Sequence, residues 1–136
     1  MAPMDFPRPR FLIIDDEEST RLLLARMMSA ELGADAQLAG TCEQAMKLAD
    51  QSTYDLILLD LLMPGVGGLA ILRDIRAGEM NLTTPVIVVS VVSDPQTIED
   101  CLTSGANAYH VKPVRRLELV EQVRRQLATR ATAAVK

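Results

Sequence analysis

The sequence predicts an α/β fold, an open and doubly wound parallel sheet of five strands with a helix after each. Three observations predict it. Short apolar runs and helix-spaced segments alternate five times along the chain. Most of the runs are continuous rather than alternating, as strands covered on both faces require. The polar residues gather where the runs end, at the edge where open α/β sheets bind ligands. At 136 residues and 49% hydrophobic, the chain amounts to one domain, long enough to bury roughly two-thirds of its unfolded surface in one core.

The first strand is RFLIID, residues 10–15. The helix after it carries Leu24, Met27, Met28 and Leu32 at spacings of three and four, and Gly33 supplies its stop. DAQLAG (35–40) is the second strand; Thr41 can cap a helix whose apolar side is Cys42, Ala45, Met46 and Ala49. The third strand, YDLILLD (54–60), ends on Asp60, and the glycines of GVGGLA (65–70) read as a turn before a helix with Leu72 and Ile75. PVIVVS (85–90) is the fourth strand. Asp94 and Pro95 cap and open the next helix, which holds Ile98, Cys101 and Leu102 and stops at Gly105. AYHV (108–111) is the fifth strand, and Val120, Val123 and Leu127 mark the last helix. Around a domain at 10–128 we expect a flexible arm at 1–9, which holds three prolines, and a tail or linker start at 129–136. The arm has no apolar stretch suited to a signal peptide or a membrane span.

Composition narrows the function. Aromatic residues make up 3% with no Trp, so platforms for stacking bases are essentially absent and nucleic acid is not expected as a partner of this domain. Net charge is −4, unevenly spread: residues 1–111 hold 7 of the 14 Lys and Arg but 16 of the 18 Asp and Glu. The basic end, with Arg115, Arg116, Arg124 and Arg125, reads first as the solvated side of the last helix and second as a docking face. Cys42 and Cys101 form no CxxC motif, which favours a reduced, cytoplasmic setting; both read as core thiols.

The strand ends carry the chemistry. The first gives Asp15 and Asp16, the third Asp60, the fourth Ser90, and the fifth leads to Lys112. Three carboxylates this close repel one another, and a hard divalent cation with oxygen ligands is the ordinary remedy. Mg²⁺ or Mn²⁺ suits the site, Mg²⁺ because it takes few protein carboxylates and keeps waters. An ionised Asp60 with a cation on one side, the Lys112 ammonium on the other and the Ser90 hydroxyl nearby is equipped to attack phosphorus. The same groups would stabilise the charged oxygens of the acyl phosphate formed.

IIDDEEST, LILLDLLMPGVGG, IVVSVVSD and SGANAYHVKP resemble, in order and spacing, the receiver domain of two-component response regulators over roughly residues 9–128. The resemblance implies a flavodoxin-like (βα)5 sheet of order 2-1-3-4-5. It implies that Asp60 accepts a phosphoryl group from a phosphohistidine on a histidine kinase or histidine phosphotransfer protein. It implies Mg²⁺ held by Asp16, Asp60 and the Leu62 carbonyl with Asp15 acting partly through water, Lys112 on the phosphoryl oxygens, and Ser90 and Tyr109 as a switch pair. The altered face would be the fourth helix, fifth strand and fifth helix, a possible homodimer surface. The protein would be a phosphoacceptor rather than a turnover enzyme, either stand-alone or the receiver of a longer regulator.

Plainer readings stand beside these. DDEE alone suits a helix N-terminus, Ser90 a polar strand end, Tyr109 a half-buried strand aromatic, and His110 a strand or surface residue rather than a phosphodonor. GVGGLA fits a dinucleotide pattern, yet Leu61–Pro64 separate it from Asp60 and no acid ends the next strand. A haloacid-dehalogenase-like phosphatase would need an acid where Leu62 stands. Val91, branched where receivers usually have a small residue, crowds the pocket mouth and raises the alternative of a binding module that is never phosphorylated. Leu62 and Val92 cannot orient water, so we expect slow hydrolysis of any phosphoryl group.

Overall fold

The structure, a computed structural model, describes residues 8–135. Strands and helices alternate throughout: β1 (Arg10–Ile14), α1 (Glu18–Leu32), β2 (Asp35–Ala39), α2 (Cys42–Gln51), β3 (Leu56–Leu59), α3 (Gly67–Ala77), β4 (Val86–Ser90), α4 (Pro95–Thr103), β5 (Ala108–Val111) and α5 (Arg116–Val135). All five strands are parallel, in the expected order β2-β1-β3-β4-β5. Among the described residues no helix is long and apolar enough to cross a membrane.

Successive strand residues point to opposite faces, and both faces are covered. Leu12, Ile14, Ile57, Leu59 and Val88 pack with residues of α2, α3 and α4, among them Ala45, Leu72 and Cys101. Phe11, Ile13, Leu58, Ile87 and Val89 pack with α1 and α5 through Leu24, Met28, Leu119 and Val123. That is why β3 and β4 are apolar and buried at nearly every position, while the edge strands leave Asp35, Gln37 and Val111 exposed. The expected caps form. Thr41 accepts from the Gln44 N–H at 3.1 Å, Asp94 from the Thr97 N–H at 3.0 Å, and Gly33 closes α1 at φ 64°.

Register places the polar residues. Ile14 pairs with Leu59 and Ser90 with Val111, so Asp15, Asp60 and Lys112 are the next residues of their chains and leave the sheet along one edge. The Asp60 N–H donates to Ile14 O at 2.9 Å and the Lys112 N–H to Ser90 O at 2.8 Å.

Several expectations need correction. The glycines after Asp60 do not all belong to a turn: α3 begins at Gly67, and Gly68 is buried in its first turn. A Cβ on Gly68 would lie 2.4 Å from Asp60 O and 2.5 Å from Leu61 Cα, so the glycine permits the start of α3 to sit directly on the backbone after β3. The segment expected as a tail from residue 129 is helical, because α5 runs to Val135, and Arg130 donates to Tyr54 O at 2.9 Å. Residues 1–7 of the expected arm lie outside the described residues, whereas Pro9 O accepts from the Asp35 N–H at 2.8 Å. Cys101 is buried, but Cys42 opens α2 half-exposed, with its thiol 3.2 Å from Pro64 O. His110 is a strand residue of β5, one of the two places expected for it, and is buried there, accepting from the Arg115 N–H at 3.1 Å and lying 2.8 Å from Gln122 Oε1.

Gly68→Ala separates steric need from helix propensity. Alanine in a helix gains up to about 1 kcal/mol over glycine, whereas overpacking against rigid backbone costs about 1–3 kcal/mol. The variant should therefore unfold at lower urea concentration than the parent; an unchanged or higher midpoint would contradict the close contact.

Candidate functional site

At the carboxyl edge of the sheet the structure brings Asp15, Asp16 and Asp60 together, with one carboxylate oxygen from each within 4.8 Å of the others. Asp15 and Asp60 are 1% and 5% exposed, and Asp16 faces solvent. Glu17 and Glu18, also exposed, begin α1 as the plainer reading of DDEE requires, without displacing the site. Each buried carboxylate is held. Asp15 Oδ1 accepts from the Glu17 N–H at 2.9 Å, and Asp60 Oδ1 from the Leu62 N–H at 3.2 Å.

Lys112 reaches between them. Its Nζ lies 2.9 Å from Asp15 Oδ2 and 3.4 Å from Asp60 Oδ2. Burial by itself lowers the ammonium's pKa, but the hydrogen bond it donates to Asp15 and the charges of Asp60 and Asp15 outweigh it and hold the group above the usual 10.5. At an effective dielectric of about 20, two like charges near 5 Å repel by about 3 kcal/mol. One ammonium offsets part of that and leaves three carboxylates in excess by two charges. The donor set is all hard oxygen, two members are buried and pre-positioned, and the excess matches one divalent cation. The cluster can therefore hold a metal.

Ser90 is fully buried at the end of β4, and its Oγ accepts from the Val92 N–H at 3.3 Å. Tyr109 turns inward from β5 and donates to Val92 O at 2.5 Å; burial pushes its hydroxyl pKa up. The two residues are thus linked through the backbone of Val92. Val91 and Leu62 are 57% and 53% exposed, apolar side chains on the loops after β4 and β3.

Two participants carry no periodic signal. Arg21 of α1 donates from Nη1 to the Asp15 carbonyl at 2.8 Å, and its only trace in the sequence is a base shortly after an acidic pair. Gly68 was legible as a glycine but not as a contact.

The chain belongs to the response regulator receiver domain family, whose model matches residues 11–124. It is 34% identical over 131 residues to the sensory/regulatory protein RpfC of Xanthomonas campestris pv. campestris, covering 90% of this chain and 18% of that protein. It is 34% identical over 124 residues to the DNA-binding response regulator MtrA of Mycolicibacterium smegmatis, covering 91% of this chain and 53% of that one. The chain thus spans about half or less of these relatives. In structure it resembles the receiver domain of the sensor histidine kinase PA1611 of Pseudomonas aeruginosa, described with a magnesium ion in its active-site cleft. The TM-score is 0.81, the identity 28%, and the match covers 89% of this chain and 98% of the other.

The raised Lys112 value gives a pH signature. The native state holds this proton more tightly than the unfolded chain, so the ammonium's stabilisation is complete below pH 10.5 and is lost as pH rises through the higher folded value. In chelator, Lys112→Met should lower stability by about 3–5 kcal/mol, the cost of stranding buried partners. The gap between variant and parent should stay level from neutral pH toward 10 and close above it. A gap already closing below pH 9 would contradict the assignment.

Proposed function

We propose that Asp60 accepts a phosphoryl group from a phosphohistidine on a histidine kinase or histidine phosphotransfer protein, and that acceptance switches a partner-binding or dimerisation face. The observation that carries this reading is the buried, strand-end Asp60, clustered with Asp15 and Asp16 and bonded by the Lys112 ammonium that it shares with Asp15. A carboxylate oxygen of Asp60 attacks phosphorus, the P–N bond to the donor imidazole breaks, and the imidazole leaves with the electron pair. Asp15, Asp16, Asp60 and the Leu62 carbonyl would hold Mg²⁺, or Mn²⁺ in its place, which when bound supplies positive charge for the phosphoryl oxygens. Lys112, already at Asp60, turns its ammonium to those oxygens.

Ser90 couples the site to the rest of the domain. Its hydroxyl oxygen now accepts from Val92. When the hydroxyl swings to donate to a phosphoryl oxygen, the Val92 N–H loses that partner and the peptide held by Tyr109 shifts. The loop after β4 then carries the change to α4, β5 and α5, where Leu102, Val111 and Leu117 stand exposed. Such a protein would act as a phosphoacceptor in the cytoplasm.

One experiment tests the reading. The full chain is incubated with Mg²⁺ and a small acyl phosphate donor, and its intact mass is followed. We expect a gain of one phosphoryl group, lost in Asp60→Asn. After the donor is removed, the phosphoryl group should persist longer than in Leu62→Gln or Val92→Gln, which can hold a water. A beryllofluoride-treated sample should elute as a larger oligomer. No mass gain favours the binding module that is never phosphorylated; equal lifetimes sink the water-exclusion idea, and an unchanged oligomer removes dimerisation as the output.

A further inference from the structure

Asp16 differs from its two neighbours in how it is held. Asp15 and Asp60 are each gripped by Lys112 and by a backbone N–H. No hydrogen bond or ion pair reaches the Asp16 carboxylate among the described residues, although it lies in the cluster. Its aim therefore comes from the backbone, from the peptide that joins it to Asp15. Asp15 is fixed on both sides: its N–H donates to Ala39 O at 3.1 Å, and its carbonyl accepts from Arg21 Nη1 at 2.8 Å.

Arg21 reaches that carbonyl from the first turn of α1, with its guanidinium lying over Gly40 just after β2. A Cβ at Gly40 would stand 2.6 Å from Nη1 and 3.0 Å from Cζ of Arg21. The φ of Gly40 is outside the left-handed region, so glycine supplies room there and not conformational freedom. Among the described residues Arg21 pairs with no carboxylate within 4.0 Å.

The geometry points to Arg21 as a positioning residue for the cation site: it holds the Asp15–Asp16 peptide so that Asp16 faces Asp15 and Asp60, and Gly40 is the space that admits it. This rests on the reading of those three carboxylates as a divalent-cation site. Charge and positioning predict opposite signs. Removing a positive charge from beside three carboxylates strengthens cation binding if charge alone matters. Removing the anchor of a ligand weakens it, by about 10- to 100-fold for comparable outer-shell partners.

The probe is Mn²⁺ added to the full chain without a phosphodonor, with the free aquo ion counted by electron paramagnetic resonance. Arg21→Met removes the anchor; Gly40→Ala keeps the arginine and displaces only its flexible end. Both should raise the Mn²⁺ Kd by about 10-fold or more, and Arg21→Lys should recover part of the loss. Melting curves in chelator read fold stability separately. A purely structural role would lower the melting midpoint and leave the Kd of the folded protein unchanged. Unchanged or tighter Mn²⁺ binding in Arg21→Met and Gly40→Ala overturns the inference. If the unaltered chain takes up no Mn²⁺, the cation reading falls and this inference with it; normal uptake by parent and variants alike removes the role of Arg21 alone.

Discussion

The ammonium of Lys112 between Asp15 and Asp60 is the interaction on which the carboxyl edge of the sheet depends. Parallel pairing of β1 with β3 forces two acidic residues side by side at adjacent strand ends, because Ile14 and Leu59 are register partners. Without a cation, two buried carboxylates there would repel and lose hydration together. Pairing of β4 with β5 delivers the cation from the other direction: the Lys112 N–H is fixed to Ser90 O, and the side chain spans the gap. The pair is then satisfied locally but not neutralised, a state suited to taking up a second positive charge.

On the proposed reading the site would work by re-sharing these contacts. Lys112, Ser90 and the Leu62 N–H all hold other partners in this structure, and on the proposed reading each would turn to a phosphoryl oxygen. Ser90 bonds the N–H of Val92 and Tyr109 its carbonyl, so on the proposed reading a change at one would reach the other through this one residue. Leu62 and Val91, on the loops after β3 and β4, stay exposed and apolar, and on the proposed reading a donor protein would cover them.

The fold was largely legible because both faces of the sheet are dry: unbroken runs such as LILL and VIVVS have no other stable home in a chain this short. Asp15, Asp16, Asp60, Ser90 and Lys112 were legible because each follows an apolar run, so topology alone brings them together. Contacts set by tertiary packing were not. Gly68 reads as a turn glycine until α3 is seen to press on the Asp60 backbone. Arg21 reads as a surface base of a helix until its guanidinium is seen on the Asp15 carbonyl. The buried Asn81, bonded to Ala49, Ser52, Tyr54 and Thr84, and Arg76, bonded to Gly105, Asn81 and Asn107, organise loops at the opposite edge and follow no period. The run of α5 past residue 128 was hidden by an Ala- and Thr-rich composition that resembles a linker.

Chemistry can locate the phosphoryl group on the chain. Borohydride reduces an aspartyl phosphate to homoserine, so treating the phosphorylated chain and sequencing its peptides by mass spectrometry marks the acceptor. Homoserine should appear at position 60 and at no other carboxylate. Homoserine at position 15 or 16, or a chain left unmarked after exposure to donor and Mg²⁺, would contradict Asp60 as the acceptor.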